Sequence, residues 1–103
     1  MLKLNFYVPE THVEEVKSAL FEAGAGTFDK YEQACWQTMG QGQFKPIEGS
    51  DPHIGQQDQL ERVDEYRVEI ICSEECIEQV IKALKVNHPY EEPAYEVLHM
   101  LDF

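Results

Sequence analysis

The sequence predicts an α+β plait in the order β-α-β-β-α-β, an antiparallel sheet with two helices on one face. Three features of the 103 residues point to it. Alternating apolar residues mark strands at both ends and in the middle of the chain. Two apolar stripes at helical spacing lie between them. The two halves share a strand–helix–strand plan. Such an arrangement is termed ferredoxin-like, and its length predicts one domain spanning residues 1–103.

Residues 2–8 read L-K-L-N-F-Y-V. Leu2, Leu4, Phe6 and Val8 share one face, with Lys3 and Asn5 opposite, as in a half-buried strand. Pro9 ends it, and Thr11 to Glu14 has capping-box spacing, so a helix is expected to begin there. Val13, Val16, Ala19, Leu20 and Ala23 recur at helical spacing, and Gly24 and Gly26 are natural stops. Residues 31–39 predict a second strand, Gly40-Gln41-Gly42 a turn, and residues 43–45 a short extended piece ended by Pro46. Residues 47–59 are polar and broken by Gly49, Pro52 and Gly55, which predicts a long loop or weak hairpin. Residues 61–72 form a clear strand with Val63, Tyr66, Val68, Ile70 and Cys72 apolar; the phase slips at Asp64-Glu65, where a bulge is expected. Ser73 is placed to cap a second helix with the stripe Ile77, Val80, Ile81 and Leu84. A last strand over residues 94–102 puts Tyr95, Val97, His99 and Leu101 on one face. The helices cover one sheet face only. Tyr7, Cys35 or Trp36, Ile71, Leu98 and Met100 are expected on the other, a half-apolar surface suited to another copy or a partner.

Charge narrows the partners. Asp and Glu number 20 against 8 Lys and Arg, a formal net charge of −12. No basic cluster is present to displace counterions, so neither nucleic acid nor an anionic membrane is expected. Nothing reads as a signal peptide or spanning segment, and the odd set Cys35, Cys72 and Cys76 suits a reducing cytoplasm.

Five stretches then carry a resemblance: A-G-A-G at 23–26, G-Q-G-Q-F-K-P at 40–46, G-S-D-P-H-I-G at 49–55, the run Glu61, Val63, Glu65, Arg67, Glu69, and H-P-Y-E-E-P-A-Y at 88–95. In this order they resemble the insert domain of the NGG-interacting-factor-like family of hexameric dinuclear-metal proteins. The last block also resembles the CutA family of divalent-cation-tolerance proteins. The resemblance implies a CutA/PII-like domain that assembles into oligomers and binds small ligands or metal at subunit clefts. In the full-length family the metal ligands lie in the halves flanking the insert, outside these 103 residues. Metal-dependent hydrolase or cyclohydrolase activity is therefore not expected of this segment.

The candidate site residues come from two segments. H-P-Y-E-E-P reads first as a rigid joint: Pro89 biases His88 away from helix and Pro93 sets the entry to the last strand. Its second reading puts His88, Tyr90, Glu91 and Glu92 around a ligand. The loop at 49–58 supplies Ser50, Asp51 and His53 as a lid. No cofactor is assigned outright; His53, His88 and Glu91 are the residues that could hold a divalent metal. The glycines at 40 and 42 do not form a Walker loop, since no G-K-[ST] follows. Cys72 and Cys76 read as core thiols. Glu65 and Arg67 are expected on one face, pairing within the sheet or between subunits. No catalytic residue is assigned. The expected function is a non-enzymatic module, responsive to a small ligand or metal and working as a homo-oligomer, dimer or trimer. The alternatives are a metal-assisted hydrolase and a structural adaptor docking onto a larger protein.

Overall fold

A computed structural model describes residues 1–103. Strand β1 (Leu2–Pro9) leads through a 3-10 turn (Glu10–His12) into helix α1 (Val13–Glu22). Strands β2 (Trp36–Phe44) and β3 (Glu61–Cys72), helix α2 (Ile77–Asn87) and strand β4 (Tyr95–His99) follow. The four strands form one sheet in the order β2-β3-β1-β4, every neighbouring pair antiparallel. This is the predicted ferredoxin-like plait. No helix is long and apolar enough to cross a membrane.

The core lies between the sheet and the helices. Leu4, Phe6 and Val8 of β1 meet Val68, Ile70 and Cys72 of β3, Val13, Val16 and Leu20 of α1, and Val80 and Leu84 of α2. The period of two in β1 and of 3.6 in the helices aims these side chains at one interior. Helix α1 ends as its glycines require. The N–H of Ala25 donates to Leu20 O at 3.0 Å and that of Gly24 to Phe21 O at 3.0 Å, the paired bonds of a Schellman motif. Gly24 sits at φ +111°, and a Cβ there would lie 2.9 Å from Cys76 Sγ.

Several expectations are corrected. The second strand begins at Trp36 rather than residue 31, and it runs straight through Gly40-Gln41-Gly42 to Phe44. Those three residues face Glu65, Asp64 and Val63 of β3 in unbroken register, so they make neither a turn nor a bulge. Neither Gly40 nor Gly42 has positive φ; Gly49 and Gly55 do, and the hairpin closes around them. The phase slip at Asp64-Glu65 has a simpler cause. Pairing with β1 ends at Glu65, opposite Pro9, and from Asp64 toward the tip the β2–β3 hairpin outruns β1, so its alternation no longer follows a buried face. Neither predicted helix cap forms. Thr11 Oγ1 bonds to His12 Nδ1 at 2.8 Å instead of a helix N–H. Helix α2 starts at Ile77, after a turn in which Cys76 N–H donates to the backbone carbonyl of Ser73 at 3.2 Å. The last strand is shorter than expected, ending at His99.

The face away from the helices is as expected in content. Lys3 stands beside Ile71 and Leu98, Tyr7 beside Arg67, and Trp36 beside Glu69. Cys35 and Met100 fall outside the strands. Asn5 departs from the pattern: it lies on this face yet is only 1% exposed. Its amide donates to Glu96 at 3.2 Å, and its Oδ1 has no partner.

Gly24→Ala is expected to lower the unfolding free energy by about 1–2 kcal/mol, through left-handed backbone strain and the contact with Cys76. A Cβ at Gly40 meets nothing within 4 Å. Gly40→Ala should therefore change stability by less than about 0.5 kcal/mol. Urea unfolding of the two variants checks the pair; equal losses would contradict the structure.

Candidate functional site

Where β1 ends, H-P-Y-E-E-P takes over from strand pairing. Phe6 is the last β1 residue in register with β4, opposite Tyr95. One step further, Tyr7 N–H reaches Ala94 O at 3.4 Å, and Tyr7 O meets the imidazole of His88 at Nε2, 2.6 Å away. His88 Nδ1 is 3.1 Å from the backbone N of Tyr90. A carbonyl only accepts and an N–H only donates, so Nε2 carries the hydrogen and Nδ1 accepts. His88 is thus a neutral imidazole with both nitrogens engaged, 6% exposed. Burial pushes its pKa below 6.5, against the pull of the Tyr7 carbonyl, with His12 and His53 adding to the downward push.

This joint presents Tyr90 to a cleft of about 440 Å³. The β2–β3 hairpin and its loop form the other wall. Within that loop Asp58 N–H donates to Pro46 O at 2.6 Å, and Ser50 Oγ to Ile47 O at 2.7 Å. Asp51 N–H bridges to Glu91 Oε1 at 3.0 Å, tying the loop to the joint. Aromatic rings form much of the wall: Phe44 and Tyr90 have centroids 6.1 Å apart, and His88 lies 4.9 Å from Tyr90. His53 stands 6.4 Å from Tyr90 and edge-on to His12 at 5.4 Å. Three of the four histidines therefore gather here, while His99 lies 3.8 Å from Glu74.

Glu65 closes the inner end. Its carboxylate occupies the space over Gly42, where a Cβ would collide with it. Tyr90 Oη donates to Glu65 Oε2 at 3.4 Å. Burial raises the Glu65 carboxyl above its usual range, and the Tyr90 hydroxyl pulls it back. The phenol is pushed up to about 12, by burial first and then by Glu65. It stays protonated, and so a donor, across the neutral range.

Of the residues expected from sequence, Ser50, His53, Tyr90, Glu91 and Glu92 line the cleft. Asp51 supports it through its N–H, and His88 stands behind Tyr90 as the joint. The triad His53, His88 and Glu91 does not assemble as a metal site. No three His, Cys, Asp or Glu side chains converge, and His88 has no free nitrogen. Tyr7, Phe44 and Glu65 were not anticipated as lining. Glu65 had a signal in the broken phase at Asp64-Glu65; Tyr7 and Phe44 had none. Elsewhere, Cys35, Cys72 and Cys76 are free thiols, with Cys72 buried. Arg67 lies 3.6 Å from Glu69, which also pairs with Lys3 across the sheet.

His88→Ala removes a buried ring and two hydrogen bonds, and should cost about 2–3 kcal/mol of stability. Exposed Glu91→Ala should cost less than about 1 kcal/mol. The sign of the pH effect follows from the depressed pKa. As pH falls below 6.5 the unfolded chain protonates His88 before the folded one does. That part of the stability is whole above 6.5 and lost on acidification. Urea midpoints between about pH 7.5 and 5.5 should fall less steeply in His88→Ala than in the parent. Equal slopes would show that His88 is not buried as a neutral ring.

No family model matches the chain. A "GTP cyclohydrolase 1 type 2 homolog" of Halalkalibacterium halodurans is 43% identical over 97 residues, 94% of this chain and 26% of that protein. The solved structure of a Bacillus cereus protein related to NIF3 superposes with a TM-score of 0.80 at 43% identity, covering 94% of this chain and 24% of that one. Pyrococcus horikoshii CutA superposes with a TM-score of 0.70 at 19% identity, over 100% of this chain and 87% of that one. The chain spans about a quarter of the length of the curated relatives it matches. Over nearly all of its residues it is homologous to one segment of the NIF3-related, GTP cyclohydrolase 1 type 2 homolog proteins, and that segment has the CutA/PII-like fold.

Proposed function

We propose that this chain acts as one non-enzymatic domain that binds a small ligand in the cleft and works as a homo-oligomer in the cytoplasm. The observation that carries the reading is the cleft itself. Two segments some 40 residues apart in sequence, the hairpin loop and H-P-Y-E-E-P, are joined by the Asp51–Glu91 bond around about 440 Å³ of largely apolar space. A pocket of that size with a few converging polar groups suits a small molecule. The joint couples the ligand to the sheet: Tyr90 touches the cleft, and its neighbour His88 holds Tyr7 of β1. Ligand binding would therefore be felt at the strand that both β3 and β4 pair with.

Assembly is supported by the sheet surface. Trp36 is 59% exposed on the β2 edge, and Leu98 is exposed on β4. The hydrolase reading draws on the name of the relatives, of which this chain spans a quarter. It has no convergent metal ligands to draw on within the chain.

Native mass spectrometry at neutral pH is expected to give a multimer carrying an extra mass, and Trp36→Glu to return it to monomer. A bare monomer for the parent would overturn the assembly. Phosphoester turnover with added divalent metal that disappears in His53→Ala would overturn the non-enzymatic reading.

A further inference from the structure

We infer that the ligand of the cleft is an organic cation, an amine or guanidinium on an apolar or aromatic body; this rests on the small-ligand reading above. The charged side chains lining the cleft are Glu65, Glu91 and Glu92, and no Lys or Arg is among the lining residues. A phosphate or carboxylate entering would meet like charge on several sides, inside a molecule already at −12.

Glu65 makes the selection specific. It is half-buried between the hairpin and Tyr90, where a lone carboxylate is costly. The cation nearest in sequence on its own sheet face, Arg67, turns to Glu69 at 3.6 Å, and Lys3 also pairs with Glu69. Glu65 forms no salt bridge within the chain; its one hydrogen bond is the long contact from Tyr90 at 3.4 Å. A cation seated here would supply the missing charge. The rings of Phe44 and Tyr90, 6.1 Å apart and tilted by 57°, stand beside it with faces that attract cations. The walls also decide between an organic cation and a bare metal ion. Pro46, Pro52 and Ile54 offer apolar surface and no ligand atoms on their side chains. No three metal-ligating side chains converge.

The test is titration calorimetry of the full chain at neutral pH with four probes: 2-phenylethylamine, its uncharged isostere 2-phenylethanol, the anion 3-phenylpropanoate, and GTP. The amine is expected to bind at least about tenfold more tightly than the alcohol, with neither anion binding. Glu65→Gln should abolish the preference for the amine and leave the affinity for the alcohol intact. Glu74→Gln, on a residue paired with His99 away from the cleft, should change neither. An alcohol that binds as well as the amine, a preference that survives Glu65→Gln, or GTP as the tightest probe would each overturn the cation assignment and leave the small-ligand reading standing. Failure of all four probes to bind would overturn both.

Discussion

The contact between His88 Nε2 and the Tyr7 carbonyl is the constraint on which the cleft depends. In an antiparallel sheet, alternate residues turn both backbone polar groups to the same neighbour. Tyr7 turns its groups toward β4, but β4 pairs with β1 only as far as Phe6. Its N–H finds Ala94, and a side chain supplies the partner for its carbonyl. An imidazole suits this place because its second nitrogen can accept from Tyr90 N–H at the same time. Two partly buried backbone groups are satisfied by one ring, and the direction of Tyr90 follows. Pro89, between the two residues, removes a backbone donor that would need a partner of its own.

The opposite wall is built by a different device. Strands β2 and β3 continue beyond the end of β1, and glycine lets the arm carry Glu65 close to its own backbone. A side chain at position 42 would displace that carboxylate. The tip then returns through Gly55, at φ +94°, packed over Glu61. Rigidity at the joint and space within the arm together define the cleft, and neither segment encloses it alone.

The legible part of the sequence was whatever the core dictates. The faces of β1, the stripes of α1 and α2, and the glycine stop at Gly24 follow from burial and backbone sterics, and each appears as read. Helix starts were less legible, because Thr11 turns its hydroxyl to His12 rather than to a helix N–H, and a turn closed on the backbone carbonyl of Ser73 precedes α2. The glycines at 40 and 42 misled for a physical reason: glycine marks turns through positive φ, but it also marks close approach, which is its use at Gly42, under the Glu65 carboxylate. For the site, the loop and H-P-Y-E-E-P were recognisable as candidates because their residue types serve neither strand nor helix. The separate fates of His88 and His53 were not, because a backbone carbonyl seven residues into the chain decides them. Glu65 looked like a fault in the strand pattern, and it is one of the three carboxylates that line the cleft, with Glu91 and Glu92.

The open sheet face adds a constraint on assembly. Ile71 and Tyr7 stand on its two central strands. Trp36 belongs to one edge strand and Leu98 to the other, in the order β2-β3-β1-β4. Among them run Glu69, Arg67 and Lys3, joined by ion pairs, and the buried Asn5, whose amide donates to Glu96 and whose Oδ1 has no partner. Contacts in which one edge of the sheet met the other edge of the next molecule would be heterologous, and such contacts close into rings when the rotation between copies allows. Edge strands β2 and β4 also carry the unpaired backbone groups that such contacts would satisfy. Because the cleft is built on the same arm as β2, an assembly made through that edge would place the neighbouring molecule close to the cleft.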